Sequence, residues 1–112
     1  MKVLCCFLLL LVSTSSFSAA QWCKGKLERV YVDKPGNVYI FGNWRNDYTQ
    51  ICNVNSAWKG VSVELCKTWF SLAVTAKVSN GNVIVQYSDV PACNTIPNYS
   101  NAPSPNYVML NK

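Results

Sequence analysis

The sequence predicts a mainly β domain with one helix (α+β), arranged as a small five-stranded OB-like barrel in which the helix lies between the third and fourth strands. Apolar and polar residues alternate along several short segments, which is the pattern of half-buried strands. In one middle segment the apolar spacing changes to about 3.6 residues, the helical period. Cysteines in the domain add the covalent support that so small a core needs.

Five segments carry the strand pattern. The first leads into a Lys34-Pro35-Gly36-Asn37 turn, where proline fixes one backbone angle and glycine accepts the positive φ of a type II turn. From Pro91 to Pro105 the chain is rich in proline, asparagine and serine, which predicts no regular element. The predicted strands are residues 27–32, 37–41, 48–54, 83–87 and 107–110, the last as a short strand or an extended clamp.

The predicted helix spans residues 62–78. Ser62 is a favourable N-cap, and Glu64 lies where the helix dipole favours a negative charge. Asn80-Gly81 is a natural stop. An apolar stripe predicts the face that packs on the core, and its members are Leu65, Trp69, Leu72 and Ala76, widened by Cys66 and Ala73.

The N-terminal residues predict a signal peptide. Lys2 supplies a positive start, residues 3–12 form an uncharged apolar run, and Ser18-Ala19-Ala20 is a small-x-small cleavage signal. The run is about ten residues long, whereas a transmembrane helix needs about twenty. We therefore expect cleavage after Ala20, a signal peptide over 1–20, a single domain over 21–112, no transmembrane segment, and a secreted or periplasmic location.

The cysteines of the predicted domain are even in number and belong to an oxidising compartment, so we expect two disulfides. Three connectivities are possible. In a barrel of the predicted order the first strand runs antiparallel to the fourth, which brings Cys23 near Cys93. Cys52 ends the third strand and Cys66 opens the helix. The favoured pairs are therefore Cys23–Cys93 and Cys52–Cys66.

Composition disfavours several function classes. The chain has no histidine and no CxxC pair, which argues against zinc and leaves serine and cysteine nucleophiles without their usual base. Each of the five carboxylates has a structural explanation in a strand, turn, loop or helix. The net charge of +5 is modest and scattered, as on an ordinary solvated surface. The sequence predicts no enzyme, no metal, no cofactor and no nucleic acid partner.

The aromatic residues are the most informative for function. Trp69 lies on the helix stripe and is predicted to be core. Trp44 and Trp58 lie in predicted loops, where they either fold back over the barrel as a lid or form a surface that binds a ligand. Arg45 and Asn46 follow Trp44 directly and place hydrogen-bonding groups beside its ring, a combination that suits a sugar.

Residues 58–87 resemble a known family. The pattern Trp58-x-x-Val61-Ser62, then Trp69-x-x-Leu72-Ala73-x-x-Ala76, then Asn80-Gly81-x-Val83-x-Val85-x-Tyr87 is similar to the helix-to-strand core of bacterial toxin B subunits, those of subtilase cytotoxin and typhoid-like toxins. The first predicted strand is similar more loosely. The resemblance implies an exported, disulfide-bonded barrel with one helix that assembles as a pentameric ring and binds cell-surface sialoglycans.

The resemblance also suggests roles for single residues. Tyr87 matches the tyrosine that ends the strand after the helix, which in that family lies at the glycan pocket. The family's sialic-acid serine stands just before the glycine that opens the first strand, and here Lys24 precedes Gly25. The resemblance therefore implies the fold more directly than it implies sialic acid as the ligand.

These observations predict a non-catalytic, exported glycan-binding protein that resembles a toxin B subunit, with cell-surface glycans as its ligand and a homo-pentamer as its assembly. The predicted ligand-binding residues are Tyr87, Trp44, Arg45 and Asn46. The alternative is a monomeric secreted or periplasmic structural or inhibitor protein, which the same disulfides and aromatic lid would serve. The native mass separates a pentamer from a monomer.

Overall fold

A computed structural model describes residues 19–111. The predicted signal peptide lies outside the described residues, apart from Ala19 and Ala20, which begin the first strand. No helix in the described range is long and apolar enough to cross a membrane. The elements are β1 (Ala19–Gly25), β2 (Leu27–Val32), β3 (Asn37–Gly42), β4 (Asp47–Asn53), α1 (Val63–Val78), β5 (Asn82–Val90) and β6 (Tyr107–Asn111), with a 3₁₀ turn at Cys93–Thr95.

The strands form two antiparallel sheets of three strands each. Sheet A has the order β1-β5-β6, and sheet B has the order β2-β3-β4. The chain passes from one sheet to the other at Lys26, the single residue between β1 and β2. The prediction of a mainly β fold with one helix is confirmed. The prediction of a single closed five-stranded barrel is wrong, and the helix lies between the fourth and fifth strands.

Two features explain the difference. The additional strand is β1, which the sequence analysis divides between the signal peptide and an unassigned stretch. Because Cys23 of β1 pairs with Val85, β1 rather than β2 is the antiparallel neighbour of β5. At the outer edge of sheet B, β4 bonds to the backbone of Tyr99, which lies in the irregular segment after β5. That edge is therefore occupied, and the two sheets do not close on each other.

Strands β2 to β6 lie where the period-two pattern predicts them, and β2 has the predicted bounds. Gly36 has a φ of +103°, which the predicted turn requires of its glycine. Of these strands β5 extends furthest beyond its predicted bounds, because it continues to Val90 instead of ending at Tyr87.

The predicted helix is confirmed as α1. The hydroxyl of Ser62 caps it by accepting a hydrogen bond from the backbone N–H of Leu65 at 3.1 Å. At the other end Asn80 has a φ of +57°, and the N–H of Gly81 donates to the carbonyl of Ala76 at 2.9 Å. Leu65 is 41% exposed, so it does not belong to the buried face; that face consists of Cys66, Trp69, Ala73 and Ala76.

The helix contacts strands of both sheets, and the core lies between these three layers. Each strand that faces the core contributes its alternate residues, as the pleat requires. This core includes Val38, Ile40, Ile51, Trp69, Val83, Val85, Tyr87 and Ile96.

Both disulfides are present. Cys23 of β1 is bonded to Cys93 in the 3₁₀ turn, and Cys52 of β4 is bonded to Cys66 in the first turns of α1. This is the connectivity that the sequence analysis favours. The topological argument for the Cys23–Cys93 pair is wrong in one respect. Cys23 lies on β1, which pairs with β5, whereas the predicted first strand, residues 27–32, pairs with β3.

Replacing each disulfide by alanines should lower the free energy of unfolding by different amounts. The two bonds close separations of 70 and 14 residues, and closing a longer loop removes more entropy from the unfolded chain. We expect a loss of about 4 kcal/mol for C23A/C93A and about 3 kcal/mol for C52A/C66A, measured by urea unfolding. A clearly larger loss for the shorter loop would contradict this order.

Candidate functional site

The outer face of sheet B carries aromatic side chains on all three of its strands. Tyr31 of β2 is paired directly with Tyr39 of β3, and Phe41 of β3 is paired with Tyr48 of β4. On β3, Val38 and Ile40 are buried in the core, so alternation places Tyr39 and Phe41 on the opposite face of the sheet. Tyr99 joins them from the segment after β5. We call these five side chains the tyrosine cluster: Tyr31, Tyr39, Phe41, Tyr48 and Tyr99.

Four of the rings form a closed cycle of contacts. Tyr31 stacks on Tyr39 with ring centroids 5.0 Å apart, and Tyr48 stacks on Tyr99 at 5.8 Å. The two stacked pairs meet edge to face, with Tyr31 5.3 Å from Tyr48 and Tyr39 5.7 Å from Tyr99. Phe41 meets Tyr48 edge to face at 5.0 Å. These are the separations of favourable aromatic pairs, so each ring restricts its neighbours.

The cluster presents two of its rings to solvent. Tyr31 is 39% exposed and Tyr99 is 43% exposed, whereas Tyr39 is 8% exposed beneath them. The guanidinium of Arg29 lies over the ring of Phe41, 5.2 Å from its centroid. The surface therefore combines two accessible rings, a buried aromatic base and a cation at one end.

Tyr99 is held in the cluster by its own backbone. Its N–H donates to the carbonyl of Tyr48 at 2.8 Å, and its carbonyl accepts from the N–H of Gln50 at 3.1 Å. Its φ is +51°, a left-handed conformation that costs a residue with a side chain about 1 kcal/mol or more. Strain of this kind persists only where surrounding contacts hold it, and it is concentrated at binding sites.

Two cationic side chains fix the segment that carries Tyr99. The Nε of Arg45 donates to the carbonyl of Ile96 at 2.6 Å. The Nζ of Lys59 donates to the carbonyls of Ser100 at 2.9 Å and Ala102 at 2.7 Å. An irregular segment has no strand neighbour to satisfy its carbonyls, so side-chain donors take that role. Arg45, predicted to bind a ligand, thus holds the segment beside the cluster.

The phenol groups of the cluster converge. Burial raises the pKa of Tyr31, and the neighbouring phenols of Tyr39, Tyr99 and Tyr48 raise it further. Burial also raises the pKa of Tyr39, followed by the charge of Asp33. Groups influence one another in this way only when they lie close together. The Tyr31 and Tyr39 phenols are therefore neutral at pH 7, and each can donate and accept a hydrogen bond.

Tyr87, which the resemblance places at a glycan pocket, lies in the core between the sheets. It is 1% exposed, so a ligand cannot contact its ring in this structure. Burial raises the pKa of its phenol to about 12, against an opposing interaction with Thr49. Within residues 19–111 its hydroxyl has no hydrogen-bond partner of good geometry. The alternation along β5 places Tyr87 on the core face with Val83 and Val85.

Trp44 covers the point where the two sheets meet. Its ring occupies space that a Cβ on Gly25 or Gly42 would need, and it is half-buried against the core. Asn46 has a φ of +56° and closes the turn by donating its N–H to the carbonyl of Gly42 at 2.9 Å. The structure therefore favours the lid interpretation for Trp44 and does not bring Trp44 and Tyr87 together on one surface.

Two further tryptophans lie outside the cluster. Trp58 is half-buried, and the Nζ of Lys59 lies 4.8 Å from the centroid of its ring. Trp22 of β1 is 59% exposed, and its Nε1 donates to the hydroxyl of Tyr107 at 2.9 Å. Trp22 therefore provides an exposed ring on sheet A with which the cluster on sheet B can be compared.

The cluster offers stacking faces and hydrogen bonds. Its polar groups are phenols and flanking side chains, and the cluster itself includes no carboxylate, amine or thiol. Over residues 19–111 no group of three or more histidine, cysteine, aspartate or glutamate side chains could hold a metal ion. The arrangement is suited to holding a ligand by contact.

The sequence contains a partial signal for this site. Tyr39 and Phe41 flank Ile40, and Tyr31 lies between Val30 and Val32, so apolar alternation predicts that these rings lie on the outer faces of their strands. The pairing register that brings the strands side by side cannot be read from alternation alone. Tyr99 lies in a segment without any period, so its contribution has no sequence signal.

Comparison with protein-family models, with curated proteins and with solved structures finds no match to this chain. The resemblance to toxin B subunits stays a prediction from residues 58–87. The geometry of the tyrosine cluster is the structural observation that bears on function.

Replacing Trp44 by alanine should destabilise the protein. The substitution removes a half-buried ring from the junction of the sheets and leaves a cavity above Gly25 and Gly42. We expect the free energy of unfolding to fall by about 2–3 kcal/mol, in the lower range for large-to-small substitutions at packed sites. Trp22→Ala is the matched control, with an expected change within about 1 kcal/mol. Equal, small losses for both variants would refute the lid interpretation.

Proposed function

We propose that this chain is an exported, non-catalytic glycan-binding protein and that the tyrosine cluster is its sugar-binding surface. The observation that carries the proposal is the exposure of Tyr31 and Tyr99 on a framework of mutually contacting rings. Contiguous exposed apolar surface on a soluble protein marks an interaction site more often than a single exposed residue does. Aromatic rings with a polar edge are also the side chains most favoured at such sites.

A saccharide matches the chemistry of this surface. One face of a sugar ring presents C–H groups, which pack on an aromatic face, and its hydroxyls need fixed donors and acceptors. The neutral phenols of Tyr31 and Tyr39 supply both. Arg29 adds a donor at the Phe41 end, and Asp33 adds an acceptor near Tyr39.

The surface is organised before a ligand arrives. Under the cluster the side-chain amide of Gln50 donates to Oδ1 of Asn37 at 2.8 Å, and the amide of Asn53 donates to the same oxygen at 2.8 Å. The amide of Asn37 in turn donates to Oδ2 of Asp33 at 3.1 Å. Because these groups and the rings above them are already fixed, little conformational entropy is lost on binding.

The toxin B-subunit resemblance supports the same ligand class. Assembly into a ring of five copies belongs to the proposal through that resemblance alone. The competing explanation is that the rings only stabilise the sheet, since cross-strand aromatic pairs contribute roughly 0.2–1 kcal/mol each. A structural or inhibitor protein would need nothing more from them.

Binding to a glycan array separates these explanations. The oxidised wild-type protein should bind a subset of glycans, and Tyr31→Ala and Tyr99→Ala should each weaken that binding about tenfold or more through loss of a stacking face. Both residues are more than a third exposed, so the free energy of unfolding should fall by only about 1 kcal/mol.

Trp22→Ala is the control, because it removes an exposed ring from the other sheet. It should leave glycan binding unchanged. If the two tyrosine variants bind like wild type, or if Trp22→Ala alone abolishes binding, the cluster is not the sugar-binding surface. If wild-type protein binds no glycan on the array, the proposed function fails.

A further inference from the structure

Asp33 places a carboxylate beside the phenol end of the tyrosine cluster. It follows Val32 at the end of β2, and alternation puts it on the same face as Arg29 and Tyr31. Its Oδ1 accepts from the backbone N–H of Asn37 at 2.7 Å, and its Oδ2 accepts from the side-chain amide of Asn37 at 3.1 Å. The carboxylate is therefore held in one position relative to the rings.

This carboxylate is not neutralised by an ion pair. Across the described range the one ion pair within 4.0 Å joins Arg45 to Asp47, and Lys34 is exposed in the turn beside Asp33. The charge of Asp33 acts on the cluster, because after burial it is the largest cause that raises the pKa of Tyr39. A ligand bound on these phenols would experience the electric field of the same Asp33 carboxylate.

The cation on this face lies at the other end of the cluster. The guanidinium of Arg29 is placed over Phe41. Asp33 lies four positions after Arg29 along the extended chain, which is about 13 Å at about 3.3 Å per residue. The guanidinium of Arg29 and the carboxylate of Asp33 therefore lie at opposite ends of the cluster, the first at Phe41 and the second near Tyr39.

We propose that Asp33 makes the tyrosine cluster selective for neutral saccharides over acidic ones. The inference rests on the proposed function and names the ligand class of that site. A neutral sugar hydroxyl can donate to the lone pair that remains on Oδ2 of Asp33. The carboxylate of a terminal sialic acid meets a like charge there instead. This specificity departs from the sialoglycan binding that the toxin B-subunit resemblance implies.

The test uses an array that carries galactose-terminated glycans, each with and without a terminal sialic acid. At low salt wild-type protein should bind the neutral member of a pair about fivefold or more tightly than the sialylated member. Asp33→Asn removes the charge and keeps an oxygen that can accept from Asn37, so it should reduce this ratio toward one. Asp89→Asn is the matched control, because it makes the same change in net charge at an exposed position on sheet A and should leave the ratio unchanged.

Salt dependence keeps the proposal testable if Asp33→Asn does not fold. Raising the ionic strength from about 0.01 M to about 1 M shortens the screening length from about 30 Å to about 3 Å, so the preference of the wild-type protein should shrink. A preference that does not change with salt is steric and overturns the role of Asp33. Equal or stronger binding of the sialylated members overturns the inference and leaves glycan binding intact. Binding to neither member overturns the proposed function itself.

Discussion

The backbone pairing between Tyr99 and β4 is the contact on which both the edge of sheet B and the tyrosine cluster depend. Tyr99 donates to Tyr48 and accepts from Gln50, and it adopts a positive φ to do so. The same contact has two consequences. It occupies the edge of β4, so that sheet B ends there and does not close onto sheet A. It also places the ring of Tyr99 against Tyr39 and Tyr48, which completes the tyrosine cluster. An interaction that limits the sheet therefore also builds the candidate binding surface.

The basic residues take part in the same constraint. Arg45 and Lys59 hold the segment that carries Tyr99, and Lys26 donates to the carbonyl of Asn80 at 2.7 Å just after the helix. Each cation satisfies a backbone carbonyl for which no strand provides a donor. The Cys23–Cys93 disulfide anchors the start of the segment to β1. Three of the ten basic residues of the chain thus donate to backbone carbonyls within the domain.

Alternation and helical period predict which elements form, but they do not predict which elements lie side by side. The helix, its Ser62 cap and five of the six strands follow from local pattern. The remaining strand, β1, overlaps the predicted cleavage signal, whose small residues carry no strand pattern of their own.

Trp44 has the same sequence context whether it binds a ligand or covers the core. What decides its position is the space left by Gly25 and Gly42, two glycines on different sheets. Tyr99 could not be placed, because the proline-rich segment has no period from which its neighbours could be inferred.

The central claim is that ligands bind where Tyr99 meets sheet B. An NMR titration of ¹⁵N-labelled oxidised protein with the strongest-binding glycan of the array tests it most directly, since each backbone amide reports on its own surroundings. We expect shift changes concentrated at Tyr31, Tyr39 and Tyr99 together with Asp33, and none at Trp22 on the other sheet. Shift changes centred on Trp22, with the amides of the tyrosine cluster unmoved, would contradict it.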